Sequence, residues 1–283
     1  MPIGDMADMK AGLVMNAFIA RAFKEIGGNA HPIRLLLTGD EEIASPYSRP
    51  IIQQMARGAA AVFNAEPGRP NGNVVVARKG ALFIDFEVEG ISAHAGVNHA
   101  QGASAIGALA SKILCLHALT DTESGITANV GTIRGGVSAN TVAPHATGQL
   151  DVRFPPRSDC EGLKAKVVSI IEGESLAGTH GRVTRSGYIL PLVQTELSRQ
   201  LFERYARAAA EVGFEVEGEF TGGSADSGLT SAVGAATLCA TGPVGGLVHT
   251  TDEYCCIDTI VPRAQAIALT ILDMAESLPQ SAT

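Results

Sequence analysis

The chain has 283 residues, a formal net charge of -8 and 46% hydrophobic residues, enough apolar material for one or two packed domains. That acidic balance, with no basic stripe carrying interleaved aromatics, argues against a nucleic-acid partner. The 5 cysteines (Cys115, Cys160, Cys239, Cys255 and Cys256) are scattered and form neither a disulfide framework nor a cysteine-based zinc site, and no apolar stretch is long enough to span a bilayer.

Leu13, Ala17, Ala20 and Phe23 recur at helical spacing over 11–26, and Gly27-Gly28 closes that helix. The apolar run Ile33 to Leu37 reads as a buried first strand, with Thr38-Gly39-Asp40-Glu41-Glu42 at its carboxyl end. A helix over 48–57 leads to a strand at 61–63, which delivers Glu66. This β-α-β order predicts a mostly parallel sheet covered by helices.

Near Asn73 the pattern changes. Leu82, Ile84, Phe86 and Val88 alternate with Ala81, Phe83, Asp85 and Glu87, the period of a strand with one buried face. A helix over 103–119, strands at 127–133 and 147–154, a helix over 158–171 and a strand at 182–188 complete an antiparallel α+β set. Ser158 and Glu161 are expected to form a capping box. Helical spacing resumes over 196–212, a buried strand follows at 235–240, and 260–278 is the closing helix, with Pro262 tolerable in its first turn. The expected class is therefore α/β, with one domain from 1–76 and 190–283 interrupted by an α+β domain over 77–189.

Adjacent carboxylates at a strand end repel one another unless a cation offsets the cost, and a solvated acidic loop is the alternative. Asp8 lies in Asp8-Met9-Lys10-Ala11-Gly12, where it could instead cap the following helix. Glu66 lies in Asn64-Ala65-Glu66-Pro67, His94 in Ser92-Ala93-His94-Ala95-Gly96, and His249 in His249-Thr250-Thr251-Asp252-Glu253-Tyr254. In this order, and with Glu41-Glu42, the motifs resemble the M20 family of zinc peptidases, within it the glutamate-carboxypeptidase-like branch. The resemblance runs from Asp8 to the C-terminal helix.

It implies a metal-binding α/β domain interrupted by a lid that forms a homodimer. Two zinc ions are implied, with manganese or cobalt as alternatives: Asp8 would bridge both, and Glu42, Glu66 and His249 would each bind one. Glu41 would be the general base. His94 would reach across the dimer to stabilise an oxyanion, and Asn140 would contact substrate in the same way. Arg153 shares a strand face with Gln149 and Asp151; the matching family arginine binds a substrate's free carboxylate, a solvated strand arginine being the plain alternative. Gly223, in Gly222-Gly223-Ser224-Ala225-Asp226, would line the substrate site.

The resemblance departs in two places. The family's His-x-Asp segment, whose histidine is a metal ligand, precedes the Asp8 motif and has no counterpart here, so the catalytic domain reads as N-terminally truncated, short of one imidazole and several strands. Ala11 also stands where the family has glycine. The implied activity is metal-dependent hydrolysis of an amide beside a free carboxylate, by a carboxypeptidase or N-acyl-amino-acid deacylase acting on a small peptide or N-acyl amino acid. A non-catalytic remnant that dimerises and at most binds a carboxylate is the second reading. No signal peptide opens the chain, so the cytoplasm is the expected compartment.

Overall fold

Side chains alternate across a β-strand, and the longest sheet here uses that rule on every strand. In the computed structural model, which describes residues 6–29 and 31–277, the chain divides into two units. The first runs to Arg78 and resumes over Leu192–Thr221 and from Ala225 onward; the second is Lys79–Pro191 with Gly222–Ser224.

The second unit is a 4-stranded antiparallel sheet in the order Thr127–Gly135, His145–Phe154, Gly80–Glu89, His180–Ile189. Leu82, Ile84, Phe86 and Val88 are at most 1% exposed and meet Leu150, Val152 and Phe154 of the neighbouring strand. The helices Ala105–His117 and Cys160–Glu172 cover this face with Leu109, Leu116, Leu163, Val167 and Ile171. Asp85, Glu87, Gln149, Asp151 and Arg153 occupy the other face. Phe86 is registered against Gly148 and Phe154 against Gly80. A Cβ on Gly148 would come within 2.6 Å of the Phe86 ring, and one on Gly80 within 2.4 Å of the Phe154 ring. Each ring lies over a glycine that has no side chain to displace it.

The capping of the second helix differs from expectation. Asp159, not Ser158, is the N-cap, accepting the Gly162 N–H at 2.9 Å. Its carboxylate, one residue nearer the first helical turn, reaches the orphan donor directly. At the other end of that helix the buried Lys112 ammonium donates to the carbonyls of Ile170 (3.2 Å) and Gly173 (2.5 Å).

In the first unit the helices Ala11–Glu25, Glu196–Glu211 and Ile260–Ser277 enclose short parallel pairs. Val62–Phe63 pairs with Thr237–Leu238, and Val74–Arg78 with Gly218–Thr221. Val75 also bridges Cys239, antiparallel. Met15, Ile19, Phe23, Val76, Tyr205, Leu238 and Ile267 form the core. Thr195 caps its helix in a reciprocal box with Ser198. The Arg263 guanidinium, 1% exposed, donates to the carbonyls of Gly72 (2.7 Å), Ala240 (2.6 Å) and Thr241 (3.4 Å), tying two loops to the last helix.

The α/β class therefore holds, with three local corrections. Ile33 to Leu37 has no regular secondary structure and pairs with no strand among the described residues, and Leu37 is 57% exposed. Apolar composition alone does not make a strand, because each backbone donor and acceptor needs a ladder partner. The strand expected over 235–240 contracts to Thr237–Leu238, and Val74–Arg78 forms a strand that the reading at Asn73 passed over. No described helix is long and apolar enough to cross a membrane.

Candidate metal and catalytic site

Three segments far apart in sequence bring acids and an imidazole together in the first unit. Asp8 sits in the turn Met6–Lys10 with extended backbone (φ -111, ψ 90), ahead of a helix whose N-cap is Lys10, so it caps nothing. Glu41 and Glu42 open a single 3-10 turn, Glu41–Ile43. His249 lies on a loop in the left-handed region, at φ 63. Its Nε2 is 3.1 Å from Asp8 Oδ2 and 3.5 Å from Glu42 Oε1. One ligand atom from each of Asp8, Glu42 and His249 lies within 4.8 Å of the others.

Side-chain hydrogen bonds hold these segments. The Glu41 turn runs into Ala44 (φ 69) and Ser45 (φ 52), both left-handed, at a cost of about 1–2 kcal/mol per residue. The resulting bend lets Ser45 Oγ donate to Asp226 Oδ1 at 2.5 Å. Asp40 accepts from the Tyr47 N–H (2.8 Å), the Ser48 N–H (3.1 Å) and the Ser48 hydroxyl. Glu253 accepts the N–H groups of Ala7 (2.8 Å) and Asp8 (3.3 Å), joining the His249 loop to the Asp8 turn.

The electrostatics are those of crowded acids. Burial pushes the Glu41 carboxyl up to about 8, helped by the charges of Glu66, Asp226, Glu42 and Asp8. Burial likewise raises Glu66 to about 7; the Arg78 guanidinium opposes this, while Asp8, Asp226 and Glu42 add to it. The charges of Asp8, Asp226 and Glu42 thus reach Glu66, which stands outside the tight set of three.

A divalent cation fits these residues. Bonds of about 2.0–2.1 Å to a tetrahedral ion place ligand atoms roughly 3.3 Å apart. The 3.1 and 3.5 Å separations lie on either side of that value. Carboxylate and imidazole donors suit zinc, and manganese or cobalt as well.

The second unit places the remaining candidates. The Ala93–His94 strand pairs with Thr141–Val142, and the Ala95 N–H donates to the Asn140 carbonyl at 2.9 Å, so His94 and Asn140 are neighbours. The Gly96 N–H donates to His94 Nδ1 at 3.2 Å. That bond assigns the ring proton to Nε2, on an exposed side chain. Arg153 makes a two-pronged contact with Asp151, Nε to Oδ1 at 2.7 Å and one terminal nitrogen to Oδ2 at 2.8 Å. Its other terminal nitrogen donates to Ser224 Oγ at 3.0 Å, beside the exposed Gly223.

A family model described as a peptidase dimerisation domain matches residues 76–179. The succinyl-diaminopimelate desuccinylase of Burkholderia multivorans is 29% identical over 266 residues, covering 88% of this chain and 68% of that protein. Carboxypeptidase G2 of a Pseudomonas species is 24% identical over 276 residues, covering 95% of this chain and 66% of the relative. The crystal structure of Sso-CP2, an M20 family metallo-carboxypeptidase from Sulfolobus solfataricus, superposes with a TM-score of 0.75 at 18% identity, covering 97% of this chain and 77% of the other. These likenesses support an M20 metallopeptidase. The relatives support a metal-dependent amide-bond hydrolase, and residues 76–179 match a dimerisation domain.

Several supporting residues of the candidate site are not singled out by the sequence motifs. Glu253 lies inside the quoted His249 motif but was given no role, and Asp226 was read only as lining. Asn64, two residues before Glu66, accepts the Glu66 N–H at 3.0 Å. This is an Asx turn, for which Asn-x-Glu ahead of proline was the available signal.

Proposed function

We propose that this chain hydrolyses an amide bond next to a free carboxylate in a small peptide or N-acyl amino acid, on the glutamate-carboxypeptidase side of the family, with zinc as its metal. The convergence of Asp8, Glu42 and His249 within 4.8 Å, on the turn that also carries Glu41, is the observation behind this reading. In it, Asp8, Glu42, His249 and Glu66 hold the metal. A bound divalent ion polarises the amide carbonyl and lowers the pKa of a water it carries.

The chain's own groups supply the rest. Glu41 takes the proton of the attacking water and returns it to the leaving amine, which requires a carboxylate held near the metal ligands but left out of their set. Asp151 locks the plane of the Arg153 guanidinium, and the edge shared with Ser224 offers a substrate carboxylate two parallel donors. His94, with its proton on Nε2, donates to the developing oxyanion of a partner protomer's site, and Asn140 and Gly223 contact substrate.

The test is metal content by elemental analysis together with turnover of N-acyl-glutamates in added zinc. Bound zinc, and turnover that Glu41→Gln removes without releasing the metal, is the expected result. A chain that takes up no metal and turns over none of these substrates overturns the reading.

A further inference from the structure

Arg78 is buried, at 7% exposure, in the first unit. Burying a guanidinium costs several kcal/mol unless charges and acceptors compensate it. Part of that compensation comes from Glu66 and Glu41, whose charges act on Arg78. Another part is a thiol: Arg78 Nε donates to Cys239 Sγ at 3.2 Å. Cys239, 0% exposed, in turn donates to Asn64 Oδ1 at 3.5 Å. The same oxygen accepts the Glu66 N–H at 3.0 Å.

The backbone around Glu66 is clamped from the same side. The Asn64 and Glu66 carbonyls accept hydrogen bonds from the segment after Thr237–Leu238, Thr241 N–H to Asn64 O (3.1 Å) and Gly242 N–H to Glu66 O (3.0 Å). A Cβ on Gly242 would stand 2.3 Å from the Ala65 carbonyl and 2.7 Å from that of Glu66. Val75, Leu192, Ala225 and Ala240 surround Cys239, a setting in which alanine or valine would serve if packing were the only demand.

We propose that Arg78, Cys239 and Asn64 form a buried hydrogen-bond chain that positions Glu66 toward the metal, with Cys239 the central positioning residue. The proposal rests on the reading of Glu66 as a ligand. The thiol is suited to the middle place because it accepts from the guanidinium and donates to the amide oxygen at once. Partners that orient a metal ligand typically govern affinity by about 10–100-fold.

Zinc affinity, measured by competition with a chromogenic chelator on the full chain, tests this alongside the visible spectrum of the cobalt-loaded protein and the unfolding midpoint of the metal-free form. Cys239→Ala and Asn64→Ala each weaken zinc binding about 10–100-fold and alter the cobalt bands, and Cys239→Ser, which keeps a donor and acceptor, recovers most of the affinity. If Cys239→Ala does not fold, Asn64→Ala still breaks the same link. A lowered unfolding midpoint with unchanged zinc affinity and cobalt spectrum overturns the proposal. Glu66→Gln separates the two levels. Should it bind zinc normally, Glu66 is no ligand and both readings fall; should it bind weakly while Cys239→Ala and Asn64→Ala bind normally, only the positioning chain falls.

Discussion

The two units position their functional side chains by different means. In the second, a regular ladder does it: Arg153 and Asp151 are two residues apart on one strand, so the pleat alone brings guanidinium and carboxylate together. In the first, the acids sit on irregular turns, and each turn is fixed by a side chain from elsewhere, Ser45 by Asp226 and the Asp8 turn by Glu253. A ladder tolerates the loss of one contact because its neighbours keep the register. A turn held by one or two bonds does not. The acids of the candidate site are therefore expected to be sensitive to polar changes in the first unit, while the second is sensitive mainly to changes in its buried face.

The contrast can be tested from its largest effect downward. Glu41→Gln should lower turnover of the zinc-loaded enzyme about 10²–10⁴-fold, the range for a general base, while the chain unfolds no more readily than before. Steady-state kinetics and denaturant titration on one preparation check both halves. Phe86→Ala should do the reverse, costing about 3–5 kcal/mol of stability by emptying the space over Gly148, with zinc affinity unchanged in the folded protein. A loss of zinc affinity there would mean that the site depends on the second unit's sheet.

Arg153→Lys keeps the charge but loses the fork, so KM should rise roughly ten- to a hundredfold with a smaller change in kcat, as expected for a charge-assisted bond of about 1.5–3 kcal/mol. Equal losses in KM and kcat would move Arg153 from substrate binding toward the chemical step.

The next effect is gradual. Glu41 at about 8 and Glu66 at about 7 lie above the ordinary 4.5 in the folded metal-free protein. Between those limits the folded form binds more protons than the unfolded chain, so stability falls as pH rises through the window. The metal-free thermal midpoint should therefore drop from pH 5 to pH 8, and added zinc should remove most of that slope. A flat metal-free profile would show that the acids are not crowded. Smallest is Thr195→Ala, a loss of about 1 kcal/mol from an exposed helix cap, with kinetics unchanged.

How much could be read in advance follows the same division. The alternation of Leu82, Ile84, Phe86 and Val88 named a buried strand face because period and environment coincide. Glu196–Glu211 was equally plain from its helical spacing. The site's acids were legible as motif residues, yet their supports were not. Ser45 and Asp226 are 181 positions apart, Ala7 and Glu253 246, Arg78 and Cys239 161. A hydrogen bond across such a distance leaves no periodic trace, and a cysteine in an apolar setting looks like filler until its two partners are seen. Ile33 to Leu37 failed in the opposite sense. Its composition is that of a strand, but pairing is decided by what lies alongside, which local composition does not contain.

That unpaired run carries a consequence in time. Amides without a ladder partner exchange with solvent far faster than those in a closed sheet, so 33–37 should label early, well before Val74–Arg78. The Glu41 turn begins three residues beyond it and is fastened on both sides of the acids, by Asp40 to Ser48 and Ser45 to Asp226. Movement arriving from the N-terminal side can thus be taken up in the run, leaving Glu41 and Glu42 in register with Asp8 and His249.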